Sequence, residues 1–312
     1  MKKTERKLRS FGFTLIELLV VIGIIMLLIG MLVPGMQMIK KQARNLRQKA
    51  VFHGIEIGIA FFREDYGDFP PSKWKGTLPN VVSGAQHLAE ALVGRDKRGF
   101  EPSSQWNALV DMVADTTLYD ESDDISLNRR RDVYLDLKDV SLYLLSELYG
   151  DGTATQVGSC YSGTWADKPA PVLVDVFQHK QITDANGEKV KVGTPILYYK
   201  ANRNSKSFRV DPAIVPHRRW MYNYEDNDTI TRLGTVDDPT VQHKFASDYT
   251  APAPDGRTGD EIFYDFITNP RQVTKAGGTT FYKPFNASEY ILISAGWDGI
   301  FGTKDDLTNF NY

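Results

Sequence analysis

The sequence predicts an α+β chain in which a long N-terminal helix is followed by short helices and then by an antiparallel sheet. Three observations predict it. An apolar run from Phe13 to Val33 is long enough to form a spanning helix. Apolar residues then recur at helical steps to about Tyr66. The β-rich segments, separated by turn residues, all lie beyond Gly150.

The apolar run holds 21 residues, all apolar, Gly or Thr except Glu17. At about 1.5 Å per residue it makes roughly 31 Å of helix, which matches the hydrocarbon layer of a bilayer. Pro34 follows at once and can kink the helix. A carboxylate at mid-bilayer costs roughly 2.5–3.5 kcal/mol on insertion scales and less near the interface, so Glu17 is a functional candidate that needs a counter-charge. The leader, residues 1–12, carries Lys2, Lys3, Arg6, Lys7 and Arg9 against Glu5, which keeps it cytoplasmic by the positive-inside rule. A conventional secretory signal would place a small-residue cleavage site after the apolar run, and no such pattern follows here.

Basic leader, Gly12, then Phe13-Thr14-Leu15-Ile16-Glu17 and an unbroken apolar helix resemble the class III signal of type IV pilins and type II secretion pseudopilins. The resemblance implies a type IV pilin-like fold, with cleavage between Gly12 and Phe13 by a prepilin peptidase and N-methylation of the new Phe13 amine. It implies that Glu17 pairs with the Phe13 ammonium of a neighbouring subunit, which fits the need of a buried carboxylate for a cation. Its implied partners are other copies in a filament, minor pseudopilins, an inner-membrane assembly platform and membrane lipid.

The chain has 312 residues, room for one large or two ordinary domains. The formal net charge is −2, and loss of the leader's five bases and one acid takes it to −6, which argues against nucleic acid as a partner. Cys160 is the only cysteine, so no internal disulfide forms and any staple comes from packing or a metal.

Past Pro34, apolar residues at Ile39, Ala43, Leu46, Ala50, Ile57 and Phe61 describe one face of a spine helix over 34–66. The opposite face is basic, with Lys40, Lys41, Arg44, Arg47 and Lys49; lipid head groups, an acidic neighbour and plain solvent all suit it. Gly67 to Pro71 ends the helix and opens a periplasmic domain over 67–312. Ser83 to Gln86 reads as a capping box for a helix with Leu88, Ala89 and Leu92 inward, stopped by Gly94. Arg95 to Lys138 is polar, with Asp120, Glu121, Asp123 and Asp124 beside Arg129, Arg130 and Arg131, and reads as a surface loop or subunit contact. Asp139 to Tyr149 reads as a second short helix. Strands follow at Pro171–Phe177, Lys189–Val192 (after a turn at 184–187), Pro195–Tyr199 and Tyr290–Ser294. Residues 200–260 read as long loops, and Glu261–Ile267 as a short helix. Residues 95–170 and 200–285 enlarge the domain beyond what the resemblance leads one to expect.

The tail over 294–307 sets three carboxylates and three glycines in a loop after a strand. Calcium takes six to eight oxygens from carboxylates, carbonyls and water, and glycines let a backbone wrap around it. On chemistry alone a calcium loop and a solvated Asp-Gly turn both fit. The tail is similar to the acidic C-terminal loop of major pseudopilins, which implies Ca²⁺ at Asp298, Asp305 and Asp306, with Thr303 and the backbone carbonyl of Ala295 as further ligands. None of the five histidines has metal-site spacing, and no G-x-S-x-G, P-loop or G-x-G-x-x-G occurs, so no enzyme is read from the chain. Trp74, Trp106, Trp165, Trp220 and Trp297 suit core packing better than sugar stacking.

The expected function is that of a structural subunit of a type II secretion pseudopilus. It would be an inner-membrane, single-pass protein with a cytoplasmic N-terminus. The alternative is a type IV pilin or a membrane-tethered periplasmic adhesion or binding protein.

Overall fold

The computed structural model describes residues 13–72, 75–77, 80–104, 119, 124–131, 133–138, 140–150, 171–184, 187–205, 220–252, 254–276 and 279–310. Gly12 and the leader, Trp74, Trp106, Asp120, Glu121, Asp123, Cys160, Trp165, Ala185, Asn186 and His217 lie outside them. The chain divides into two units, the first ending at Arg44 and the second Asn45–Tyr312.

Helix α1 runs Leu15–Tyr66, where the periodicity places it. It ends because Gly67 takes a positive φ of 78° and donates its N–H to the Arg63 carbonyl at 2.8 Å, a conformation that costs glycine nothing. In the first unit every side chain from Phe13 to Val33 is exposed.

In the second unit α1 buries Gln48, Val51, Phe52, Ile55, Ile59 and Phe62. This corrects the predicted inner face: Leu46, Ala50, Ile57 and Phe61 are exposed, as are Ile39 and Ala43 of the first unit. Both stripes have helical spacing, so periodicity cannot rank them. The stripe with more aromatic and β-branched bulk is the one that packs.

Strands β1 (Lys75–Thr77) and β2 (Asn80–Val82) form a small antiparallel ladder before α2 (Gly84–Val93). The capping box is present: Ser83 N donates to Gln86 Oε1 at 3.0 Å and Gln86 N donates to Ser83 Oγ at 3.3 Å. All ten residues of α2 are buried, not one face alone. Leu88 and Leu92 pack with the buried stripe of α1, while Ala85 belongs to a second hydrophobic cluster. Gly58 makes the approach of α1 to this region feasible, because a Cβ there would stand 2.9 Å from the Tyr134 carbonyl and 3.3 Å from a Leu92 methyl.

The segment after α2 is not a surface loop throughout. Arg95 Nε donates to Glu90 Oε1 at 3.1 Å, and the Tyr119 hydroxyl donates to the same oxygen at 3.1 Å. Ser126, on α3 (Asp124–Arg129), donates to Glu101 Oε2 at 3.1 Å, and Arg130 bonds to Asp96. Glu90, Arg95, Glu101 and Arg130 are all buried, so this ionic network ties the polar stretch to α2.

The predicted helix over Asp139–Tyr149 is half strand. β3 (Ser141–Leu144) pairs antiparallel with β4 (Pro171–Val174), and only α4 (Leu145–Tyr149) is helical. Leu142 enters the cluster around α1, whereas Leu145 and Leu148 enter the other, so tertiary pairing overrides the leucine spacing.

β5 (Lys180–Thr183) pairs with β6 (Lys189–Val192). The main sheet is three-stranded and antiparallel in the order β11-β10-β7, with β7 at Leu197–Lys200, β10 at Tyr290–Ser294 and β11 at Leu307–Thr308. Both faces are buried in period two: Leu197, Tyr199, Ile291 and Ile293 serve one cluster, and Tyr198, Tyr290 and Leu292 the other.

Between these strands α5 (Asp228–Thr231) and α6 (Gly259–Ile267) form, the latter two residues longer at its start than predicted. A hairpin of β8 (Thr268–Ala276) and β9 (Thr279–Pro284) follows, which sequence reasoning missed although Gly277-Gly278 between β-formers signals it. Its register slips between Asn269 and Val273, beside Pro270, which has no N–H to donate.

Candidate functional site

Two places gather the predicted residues. The first is the start of α1. Thr14 N donates to Glu17 Oε2 at 2.9 Å and Thr14 Oγ1 donates to the same oxygen at 2.6 Å, while Glu17 N donates to Thr14 Oγ1 at 3.3 Å. Thr-Leu-Ile-Glu is thus a capping box, and Glu17 also complements the positive end of the helix dipole. In a single copy the carboxylate is satisfied by its own chain. Phe13, on the mature side of the predicted cut, is exposed; Gly12 lies outside the described residues.

The second place is the loop that leaves β10. Gly296 turns it at a φ of 67°, and a Cβ there would fall 2.1 Å from the Asp305 carbonyl oxygen. Asp305 Oδ2 accepts the N–H groups of Trp297 at 2.8 Å and Asp298 at 3.1 Å. Asp306 Oδ2 accepts from Gly302 N at 2.7 Å, and Asp298 Oδ1 from Ile300 N at 2.9 Å. The Thr303 hydroxyl reaches both Asp305 Oδ1 at 2.9 Å and Asp306 Oδ1 at 3.2 Å. Burial, then the neighbouring charge of Asp305, raises the Asp298 carboxyl above its ordinary value. Burial likewise raises Asp306 well above it, with the Asp298 charge adding to the shift. Ala295 is fully buried where the loop leaves the strand.

The loop therefore brings Asp298, Thr303, Asp305 and Asp306 together, and all are hard oxygen donors of the kind calcium takes. Among the described residues no three His, Cys, Asp or Glu side chains form a preassembled metal cluster. The carboxylates turn to the loop's own amides instead.

Two histidines that sequence reasoning set aside hold this loop. The His179 ring packs on Gly299, where a Cβ would come within 3.2 Å, and its Nε2 lies 3.2 Å from the Gly296 carbonyl. His243 is fully buried and its Nδ1 accepts from Phe301 N at 3.1 Å. Burial lowers its imidazole to about 3, which keeps it neutral and its acceptor lone pair available. Asp175 braces the strand behind the loop: it accepts from Ser294 Oγ at 2.8 Å, Thr194 N at 3.0 Å and Phe177 N at 3.1 Å. Burial raises its carboxyl to about 7. No sequence signal marks these residues, because tertiary placement alone gives them their roles.

Residues 7–33 match the family model of the prokaryotic N-terminal methylation motif. The chain carries a class III signal. This supports a type IV pilin-like protein and implies processing by a prepilin peptidase followed by filament assembly. α1 is also, by length and composition, long and apolar enough to cross a membrane, which together with the motif supports anchoring at the N-terminus. No curated protein and no solved structure matches the chain.

Proposed function

We propose that the chain is a non-catalytic structural subunit of a type II secretion pseudopilus. The observation that carries this reading is the methylation motif at the head of a helix whose apolar surface has no cover within one copy. In this reading the leader stays cytoplasmic, the second unit is periplasmic, and the peptidase cuts between Gly12 and Phe13. The cut creates an ammonium next to Glu17. Glu17 then exchanges its bonds to Thr14 for the Phe13 ammonium of an adjacent copy, a charge-assisted contact stronger than the local one. The exposed stripe at Leu46, Ala50, Ile57 and Phe61 extends the same contact along the spine, and repeated head-to-tail contacts that do not close give a helical filament.

The acidic loop favours a secretion pseudopilin over an adhesive or retractile pilin. Asp298, Asp305 and Asp306, with Thr303 and the Ala295 carbonyl, would hold Ca²⁺, which neutralises the repulsion among the three carboxylates and pins the loop against β10.

The reading is tested by deleting the gene and following export. Exported enzymes should accumulate in the periplasm, and plasmid-borne wild-type protein should restore their release; normal release with lost surface adhesion would favour the pilin instead. The Gly12→Ala chain should keep its leader and run as the heavier precursor, whereas normal processing would contradict the cleavage site.

A further inference from the structure

We propose that the cleft beside Lys200, at the end of β7, binds a neutral saccharide. It is a cavity of about 560 Å³ within the second unit, inside the roughly 300–1,000 Å³ range of small-ligand pockets. The segment leaving β7 forms one wall, and stretches around Ser72 and Asp226 form the others. Ser72, Trp220 and Asp226 are buried, whereas Asn202, Arg203 and Asn204 are exposed, so fixed groups lie deep and open ones at the mouth.

Charge rules out the simpler ligands. Lys200 and Arg203 stand against Asp68 and Asp226, so the lining carries no formal net charge. Both carboxylates are engaged: Asp68 Oδ2 accepts from Lys200 Nζ at 2.7 Å, and Asp226 accepts from Ser72 Oγ at 2.6 Å and Asn223 Nδ2 at 3.3 Å. An anion would meet two acids, and a cation would find them already committed. A peptide paired through its backbone is not served either. The N–H groups of Ala201, Asn202, Asn204 and Ser205 already bond to Glu289 O, Met221 O, Asn202 Oδ1 and Asn202 O.

What the cleft does offer is side chains that both give and take. Asn202, Asn204 and Asn223 carry planar amides, each with donors and an acceptor oxygen. Asn202 Oδ1 receives Asn204 N at 3.2 Å and Asn223 Oδ1 receives Glu225 N at 3.4 Å, which orients those two amides. Arg203 Nε donates to the Ser288 carbonyl at 2.9 Å, and its guanidinium lies 5.1 Å from the centre of the Phe69 ring, so its fork is held in place before a ligand arrives. A sugar hydroxyl is donor and acceptor at once and pairs with an amide in either sense. Pro71, Trp220 and Met221 add apolar surface for the C–H face of a pyranose. The inference goes beyond the pseudopilus reading and does not depend on assembly.

The test purifies the full chain in a detergent without a sugar headgroup and follows saturation-transfer NMR with maltotriose, cellotriose, chitotriose and mannotriose. A sulfated trisaccharide and trialanine are run beside them. At least one neutral sugar should bind with a dissociation constant of about 1 mM or tighter. Arg203→Ala should weaken that binding roughly tenfold or more, and Asn204→Ala roughly two- to tenfold. Both residues are exposed, so melting temperatures should stay at the wild-type value. Lys189→Gln/Lys191→Gln, on the β5–β6 ladder, should bind as wild type does. No transfer to any neutral sugar at about 10 mM would overturn the proposal, as would wild-type affinity in both cleft variants. Preference for the sulfated sugar or for trialanine would also overturn it, assigning the cleft to an anion or a peptide.

Discussion

From Leu15 to Val33 no side chain of α1 is buried, whereas from Gln48 to Phe62 the same helix buries six. The first stretch draws its stability from whatever surrounds it, lipid or other copies; the second draws it from the core of its own unit. Within the second stretch the contrast repeats at one-residue resolution. Phe62 is 1 % exposed and Phe61 is 54 % exposed. Two apolar stripes on one helix thus differ: one folds the subunit, and the other stays exposed and, in the proposed reading, serves assembly.

The sharpest way to break that division is to truncate the two phenylalanines separately. Phe62 packs against Tyr66 at a ring distance of 4.6 Å, Phe100 at 5.7 Å and Tyr134 at 5.8 Å. Phe62→Ala should cost about 3–5 kcal/mol in denaturant unfolding, because it opens a cavity among rings. Phe61→Ala should change stability by no more than about 0.5 kcal/mol yet weaken cross-linking between copies. Equal costs would show that the faces are not divided as described.

The loop is the next contrast, since in the proposed reading its carboxylates take an ion that the helix does not need. With calcium at about 100 times its dissociation constant, the stabilisation is about 2.7 kcal/mol. A chelator should lower the melting temperature of the full chain in detergent, and Asp298→Asn/Asp306→Asn should abolish that response. A melt indifferent to calcium would remove the metal from the account.

Asp175 gives a pH-dependent effect with a defined sign. Its folded-state carboxyl is raised to about 7 from an ordinary 3.8. The folded state therefore holds its proton over that window, and the stability this contributes is complete below about 4 and lost as pH rises through about 7. Asp175→Asn keeps the acceptor for Thr194 and Phe177 and removes the charge. It should become increasingly more stable than wild type from pH 4 to pH 7, by up to roughly 4 kcal/mol, and then level off. A difference independent of pH would mean that Asp175 is not the titrating group.

How far the sequence disclosed this arrangement depended on how local each cause was. The Ser83–Gln86 box, the end of α1 at Gly67 and strand β10 depend on neighbours within a few residues, and they were legible. The gathering of Asp298, Asp305 and Asp306 was also legible, because glycines and acids stand together in one short loop. The buried stripe of α1 was not, since both stripes share the same period. Residues 141–144 form a strand only because β4 lies beside them, and Arg130 reaches Asp96 from 34 residues away. His179 and His243 meet the loop from 117 residues before Gly296 and 58 before Phe301, separations that no local motif spans.

The most direct test replaces Glu17 by Ala in the full chain and follows filament formation by cross-linking and the release of exported protein. Processing between Gly12 and Phe13 and the stability of the second unit should be unchanged, because among the described residues the Glu17 carboxylate hydrogen-bonds to Thr14, while filaments and export should be lost. Filaments and export at wild-type levels would contradict the central claim and leave the chain a tethered domain.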